Sequence, residues 1–482
     1  MAKVTPIFFD DLPPMEGNKN GKEVACGNHW RFVIALQGSL FLASIMGNVI
    51  GWNAALLKLM DTTSSPLYNQ SMNGTDMAGV NWNDPSLPIA DRRIVLSPIQ
   101  ISLLFAVSFI GSGCFVIPAT YFMRRFGTYR TMVALMASTV AVTALTPWAT
   151  VTNFNLLLVI RVIQGMAQSN PYPVITDIIN SWASVSERGV FVSLLTGYTQ
   201  LSAIITTPIA GFLANNYGWP SVFYFQAMFC GTLLVIWAAN YRDDPARHPL
   251  VGAREVRKIS TGKKLSSVSA LENQIPVYRI LLKPSVWAVY IAGFCFILSS
   301  QFNISFYVMY LHWALGHDIL SSSIITAVPL IIQYILQFIT GLFSDKITSI
   351  SERTKMRFFC TLSFTGCGIG FISSTFVREQ WANTICTMFS FCLLGFSSGG
   401  FPKSAVLISQ EKPATVMGFM QAALTLGLLT GSFLVPSLTP DRSFDEYSLP
   451  FRLYGCLLIL ANIFFFVFCK AEPEDFAKKI VS

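Results

Sequence analysis

The sequence predicts an all-α membrane protein, with twelve transmembrane helices in two six-helix bundles. Three observations predict it. The 482 residues are 52% hydrophobic and 13% aromatic but only 12% charged, where a soluble globular domain carries about 25% charged residues. Twelve apolar runs approach or exceed the roughly 20 residues that a helix needs to cross a bilayer; they lie near 32–59, 98–122, 131–150, 154–178, 190–214, 220–240, 285–313, 321–343, 357–377, 382–409, 414–437 and 450–470. A basic, polar stretch at 241–284 then divides those runs into six and six. The net charge of +8 sits in short loops between the runs, so lipid headgroups of the bilayer, and not nucleic acid, are its partners.

Taken in order, segment 1–31 is polar, with Lys3, Asp10, Asp11, Lys19 and Lys22. It lacks the apolar core of a cleavable signal peptide, so the first span is expected to act as its own signal. The first bundle occupies 32–240 and is interrupted by the loop 60–97, which holds Pro66, Pro85 and Pro88 and two glycosylation sequons, at Asn69 and Asn73. A sequon has meaning only on the lumenal or extracellular side. A third, at Asn303, falls inside an apolar run and reads as accidental. The linker 241–284 carries nine Lys or Arg against four acids, the second bundle spans 285–470, and 471–482 is a tail. Counted over the loops, one side holds seventeen basic residues and the other six. The positive-inside rule therefore places both termini in the cytoplasm and the sequon loop outside.

An internal repeat supports the division. Met123-Arg124-Arg125-Phe126-Gly127 follows the second run, and Gly341-Leu342-Phe343-Ser344-Asp345-Lys346 ends the eighth. Both are short turns with basic residues at equivalent places, and Arg125, Gly127, Asp345 and Lys346 read as gating residues. Two pseudo-equivalent bundles with a site between them near the midplane is a transporter architecture.

The chemistry centres on Leu158 to Gly189, where Arg161 lies about two turns inside an apolar run. An arginine at the centre of a membrane helix costs roughly 2.5–3.5 kcal/mol on translocon scales. Its charge and planar fork suit a carboxylate or phosphate; the alternative is a side chain that snorkels to the near surface. Gln168, seven residues on, shares its helix face, and Tyr172 follows between the helix breakers Pro171 and Pro173. Lys403 follows Gly399-Gly400-Phe401-Pro402, where a helix can break; it either faces the cavity or snorkels near the cytoplasmic end. Asn303, Ser305, Tyr307 and Tyr310 give the seventh run a polar stripe, with Tyr307 able to line the path or to pack. Asp177 is expected to pair with Arg188 or Arg130 in a closing gate, and Glu187-Arg188 reads as an ion pair at a loop. His312 and His317 read as exposed interfacial residues. The ten cysteines sit mostly inside apolar runs without ligand spacing to histidine, so neither a metal nor a disulfide framework is expected. There is no G-x-x-x-x-G-K, no H-E-x-x-H and no other catalytic set, so the chain does not read as an enzyme or an ATP-driven pump.

Arg161-Val162-Ile163-Gln164-Gly165, the stretch from Trp182 through Glu187-Arg188, Tyr217-Gly218-Trp219-Pro220-Ser221-Val222-Phe223-Tyr224 and Asp244-Pro245-Ala246-Arg247-His248-Pro249 carry a resemblance over nearly the whole chain. With the six-plus-six pattern and the turn motif, they resemble the major facilitator superfamily, and within it the anion:cation symporter branch that includes sialin, the vesicular glutamate transporters and the type I sodium–phosphate cotransporters. That resemblance implies the major facilitator fold, alternating access and a small anionic substrate. The chain departs from the pattern at Thr120 and Arg124, where the turn motif expects Gly and Asp. It departs again at Gln168, where proton-coupled members of that family carry a glutamate, and at Met46 and Phe302, where they tend to carry arginines. Glutamine cannot exchange a proton. The expectation is therefore a voltage-driven or secondary active carrier of organic anions in a plasma or endomembrane, with no bound cofactor and with sodium favoured over the proton as any coupling ion. Sodium-coupled uptake of inorganic phosphate is the alternative within transport, and a non-transporting receptor or scaffold is the alternative outside it.

Overall fold

The computed structural model describes residues 29–71, 80–184, 187–261, 282–346, 349–409 and 413–472. They form twelve membrane-length helical units with no strand among the described residues. The first six are α1 (Trp30–Ile50 continued by Trp52–Met60), α2 (Pro98–Phe126), α3 (Thr128–Thr152), α4 (Phe154–Ala167 and Pro171–Trp182), α5 (Arg188–Thr196 and Tyr198–Tyr217) and α6 (Trp219–Asn240). The second six are α7 (Pro284–Ala314), α8 (Ile319–Lys346), α9 (Glu352–Ser374), α10 (Gln380–Leu393, a 3₁₀ segment Leu394–Gly399, then Phe401–Ser409), α11 (Pro413–Leu438) and α12 (Phe444–Phe468). Among the described residues ten helices are long and apolar enough to cross a membrane, and α5 adds an eleventh as a pair bent by 40°. The chain is a multi-pass membrane protein. Its outward faces expose large apolar side chains such as Ile117, Val235 and Phe389, as lipid contact requires.

The fourth run escapes that count because it is broken. Pro171 has no N–H to give and opens a new helix, so the chain leaves helical geometry at Asn170 (φ −128°, ψ 44°). The seventh run departs in another way. Phe302–Phe306 and Tyr310–Ala314 are π-helical, which swells α7 where its polar stripe lies. Asn303 sits in the first of these turns and is buried, so that sequon is closed to modification. Asn73 lies outside the described residues, and so does the side chain of Asn69.

Capping fixes where the helices begin. Ser97 and Ser443 both make capping boxes, with Gln100 and Glu446, at the starts of α2 and α12. Gly127 turns the chain between α2 and α3 at φ +86°, where a side chain would be strained, and a Cβ there would lie 2.6 Å from Asp243 Oδ2. Asp243, just after α6, uses its other oxygen to accept the Tyr129 N–H at 3.0 Å. Gly127 is thus explained by a carboxylate that covers the first turn of α3.

Glycines also set how closely the helices approach. A Cβ on Gly165 would lie 1.9 Å from Ser108 O, and one on Gly111 would lie 2.5 Å from Val162 O, so α2 and α4 touch backbone to backbone. Gly395 repeats the arrangement between α10 and α8, 2.8 Å from Gln333 O. Gly165→Ala is expected to cost about 1–3 kcal/mol by overpacking and to lower the melting temperature of the detergent-purified protein. An unchanged melting curve would show that the two helices can move apart freely.

The two bundles touch at the end that carries loop 61–97, the loop end, and again along α5 and α8, where Gln200 donates to Gln337 at 3.1 Å. At the loop end Asn53 of α1 donates to the Ile304 carbonyl of α7, and the Phe105 and Phe306 rings stand edge to face at 5.2 Å. Ile50, Ala203, Ile304 and Leu330 pack together from both halves. At the opposite, linker end, the ion pairs among the described residues stay within one half. Arg31 binds Glu187 with two bonds of 2.8 and 2.9 Å. It also reaches Glu255 of the linker helix Ala253–Ser260 at 3.1 Å, and Lys258 joins Glu187 at 2.8 Å. Glu187 therefore pairs across the fold with Arg31; the side chain of its neighbour Arg188 lies outside the described residues.

Candidate functional site

The site is built where α1, α2, α3 and α4 converge on Arg161. Asn153 caps α4 by accepting the Asn155 N–H at 2.8 Å, and Arg161 follows two turns on. Because Gly165 and Gly111 bring α2 against α4, the guanidinium reaches the α2 backbone: Nε donates to Leu104 O at 3.0 Å. Nη1 donates to Gln164 Oε1 at 3.0 Å and to Asn48 O at 3.4 Å. Gln164 is held in turn by Thr143 at 3.1 Å and Thr146 at 3.4 Å, both on α3. The Trp52 ring lies 5.7 Å from the guanidinium carbon, a cation–π distance.

Two facts about this arginine decide its chemistry. It is 0% exposed, and no carboxylate pairs with it among the described residues; every acceptor it uses is neutral. Its Nη2 is buried with no hydrogen-bond partner. A buried cation is normally paired, because removing one from water uncompensated costs several kcal/mol. Three neutral acceptors meet part of that cost, and a missing acceptor with negative charge would meet the rest. Arg161 does not snorkel: it points into the bundle, not toward a surface.

The other expected residues do not all gather here. Gln168 ends the first half of α4 and donates its amide to Ile45 O of α1 at 3.3 Å, an interhelical hydrogen bond, while Gln164, three residues from Arg161, accepts from the guanidinium. Tyr172 opens the second half of α4 and is 42% exposed. Tyr307 is buried in the second bundle, its hydroxyl 2.8 Å from Thr387 Oγ1, because the π-turns rotate that part of α7 toward α10. Tyr310 likewise donates to Asn383 at 2.7 Å. Lys403 lies beyond the expected break at Gly400 but forms an ion pair with Glu352, at the start of α9, at 2.9 Å. Lys355 shares the same carboxylate, so Lys403 is held at the linker end by a charge that sequence spacing does not reveal. Lys403→Gln is accordingly expected to leave the half-saturation concentration for a carried anion within about twofold, the scale of a partly exposed pair; a tenfold rise would return Lys403 to the cavity.

The gating residues separate too. Asp177 accepts from the Thr128 hydroxyl and makes no ion pair with Arg130, because the turn at Gly127 delivers the start of α3 to it; the side chain of Arg188 lies outside the described residues. Arg125 is exposed, and the side chains of Asp345 and Lys346 lie outside the described residues. His317 is buried, not exposed: its Nε2 lies 3.0 Å from Thr384 Oγ1, and burial pushes its imidazole below the usual range.

Several polar residues of the site carry no signal in the hydropathy pattern. Asn48, Trp52 and Asn53 lie in the first run and are of this kind; Asn303, in the polar stripe of the seventh run, has no partner on either amide atom. An asparagine in an apolar run was the available hint, and the π-turn that buries Asn303 was not legible.

The match of the chain to known proteins agrees with this architecture. The model of the Major Facilitator Superfamily matches residues 38–432. Among individual proteins, the chain is 23% identical to vesicular glutamate transporter 2 of Homo sapiens over 93% of its length and 75% of that protein. It is 23% identical to human sialin (75% and 73%) and 24% identical to human sodium-dependent phosphate transport protein 1 (89% and 86%). In fold it is similar to a bacterial homologue of the human lysosomal transporter Spinster, inward-facing and unoccupied, with a TM-score of 0.67 at 13% identity over 93% of this chain and 99% of that one. It is also similar to the inward-open xylose transporter XylE of E. coli, with a TM-score of 0.65 at 14% identity over 92% and 98%. A family match across six helices, the linker and most of the second six, on a chain that folds as two six-helix bundles, makes this protein a member of the Major Facilitator Superfamily.

Proposed function

We propose that the chain carries small organic anions across its membrane by alternating access, with Arg161 as the fixed charge that binds them. The observation that carries this reading is the fully buried guanidinium whose Nη2 lacks a partner and whose described acceptors are all neutral. The relatives named for glutamate and phosphate transport support an anionic cargo, and a loop end closed by Asn53 and the Phe105–Phe306 pair supports a carrier resting with its other side open. Around Arg161 the walls are Trp52 and, next along α2, Phe105, which favours an anion with an apolar body over compact phosphate. The charge excess at the linker end supports cytoplasmic termini in a plasma or endomembrane, with Asn69 and Asn73 on the glycosylated side.

Membrane potential is the natural drive, since one charge moved through 100 mV is worth about 2.3 kcal/mol. Gln168 gives no proton-exchanging group next to Arg161, and sodium remains the coupling ion to compare. The test is the pure protein in liposomes, offered labelled urate, glutamate, sialic acid and phosphate while potential, sodium gradient and pH gradient are imposed one at a time. Organic-anion flux that follows potential is the expected result. Sodium-dependent phosphate flux would replace it with a phosphate cotransporter, and flux driven by pH alone would move attention to Asp177. A protein that binds no member of the panel and moves none under any gradient would revive the receptor or scaffold.

A further inference from the structure

A second arginine stands at the loop end without an acid. Arg442, in the turn between α11 and α12, is the one non-glycine residue with positive φ among the described residues, at +59°. An L-residue pays for that conformation, and here it directs the side chain inward: the guanidinium carbon lies 4.3 Å from the Trp313 ring centre. Arg442 is half-buried, and no carboxylate pairs with it among the described residues. Of the acids nearest in sequence, the adjacent Asp441 is exposed and makes no ion pair with Arg442, Glu446 accepts from the Asp441 and Ser443 N–H groups, and Asp445 pairs with Arg378 at 2.8 Å.

The position of this guanidinium gives it a use. It lines a groove with Pro98 and Ile101 from the first bundle and Phe306, Trp313 and Tyr447 from the second, so the groove lies on the seam between the halves. Its free volume is about 10 Å³, room for about one water. Phe306, one of its lining residues, is also half of the aromatic pair with Phe105. The residue before Phe105, Leu104, holds Arg161 through its carbonyl. Two acid-free arginines are therefore separated by one aromatic pair that joins the two bundles.

We propose that Arg442 is an anion subsite at the loop-end mouth, which receives or releases the carboxylate or like-charged group of the cargo when the Phe105–Phe306 pair parts. The subsite rests on the anion-carrier reading for its purpose, but not for its test. Because its walls come from both halves, separation of the bundles at this end widens the groove from a water-sized space to an open vestibule. Trp313 then presents a flat apolar face beside the charge.

The test uses iodide, an anionic quencher of tryptophan fluorescence, against neutral acrylamide on the full-length protein in liposomes and in detergent. The emission of Trp313 is taken as the difference between the parent protein and Trp313→Phe. With Arg442 present, iodide is expected to be enriched about fourfold relative to Arg442→Gln, the concentration that one unit charge sustains in water at near 5 Å. Acrylamide quenching stays unchanged, and Arg442→Lys keeps most of the iodide effect. Equal iodide quenching in the parent protein and in Arg442→Gln overturns the subsite, and so does a Trp313 that neither quencher reaches in either medium. For whichever of urate, glutamate, sialic acid or phosphate is carried, Arg442→Gln raises the half-saturation concentration from the loop side and not from the linker side; an equal rise from both sides also overturns it. Failure of every cargo in the panel would count against the carrier reading alone, since the quenching result stands without transport.

Discussion

Arg161→Ala is expected to remove anion flux while leaving the protein folded. A charge-assisted hydrogen bond contributes about 1.5–3 kcal/mol, which predicts a loss of roughly ten- to hundred-fold in uptake efficiency from a single contact and more where the fork binds twice. Stability should move the other way. The buried guanidinium is compensated only by neutral acceptors, and its Nη2 has none. Replacing it with an apolar side chain of similar length, as in Arg161→Met, is therefore expected to leave the melting temperature equal or raised. Arg161→Lys keeps the charge but loses the planar fork that reaches Leu104 and Gln164 together, so partial flux with weaker binding is expected. The decisive measurement pairs uptake with thermal unfolding for all three variants. Wild-type flux in Arg161→Ala would end the proposed role. A large fall in melting temperature would recast the residue as a clamp that ties α4 to Leu104 and Asn48.

Arg31→Met should have the largest effect on stability, because it leaves the buried Glu255 without a cation and Glu187 with Lys258 alone. Arg31 is buried and takes Glu187 in a two-bond fork while reaching Glu255, one oxygen of which already has no partner. Breaking a buried pair by removing one member costs about 3–5 kcal/mol, enough to reduce yield and to lower the melting temperature by many degrees. Arg31→Met combined with Glu255→Gln is expected to recover part of the loss. The same cluster sets a pH dependence. The Arg31 hydrogen bond holds the Glu187 carboxyl well below its usual range. Its folded pKa is depressed, so its stabilisation is fully present above the unfolded value near 4.5 and is lost as pH falls through the folded one. Wild-type protein should lose more stability between pH 5 and pH 3 than Glu187→Gln. Parallel pH profiles for the two would show that the fork contributes nothing.

The cluster also shows why part of the molecule was hidden in the sequence. Sequence proximity offers Glu187 only Arg188, but the partner that the structure describes, Arg31, is 156 residues away, and Glu255 meets Arg31 across 224. Lys403 presented the same difficulty. The break at Gly400 was legible from Gly399-Gly400-Phe401-Pro402, but the identity of the charge beyond it, Glu352, depends on how α9 and α10 are turned against each other. Tyr307 left the site because two π-turns rotate α7, and nothing in its composition announces them.

What the sequence determined by itself was the architecture and its central charge. A membrane helix satisfies its own backbone, so run length and apolarity along one dimension suffice to mark it. An arginine inside such a run is conspicuous for the same reason, and Arg161 needed no coordinates to be found. Only the tertiary structure decided what each polar side chain faces. That choice is set by the rotation and spacing of helices, through contacts such as Gly165 on Ser108 and the turn at Gly127, and these are properties of pairs of helices and not of any one segment. Hence Arg161 was legible, while Gln164 as its partner, the acid-free Arg442 over Trp313 and the withdrawal of Lys403 to Glu352 were not.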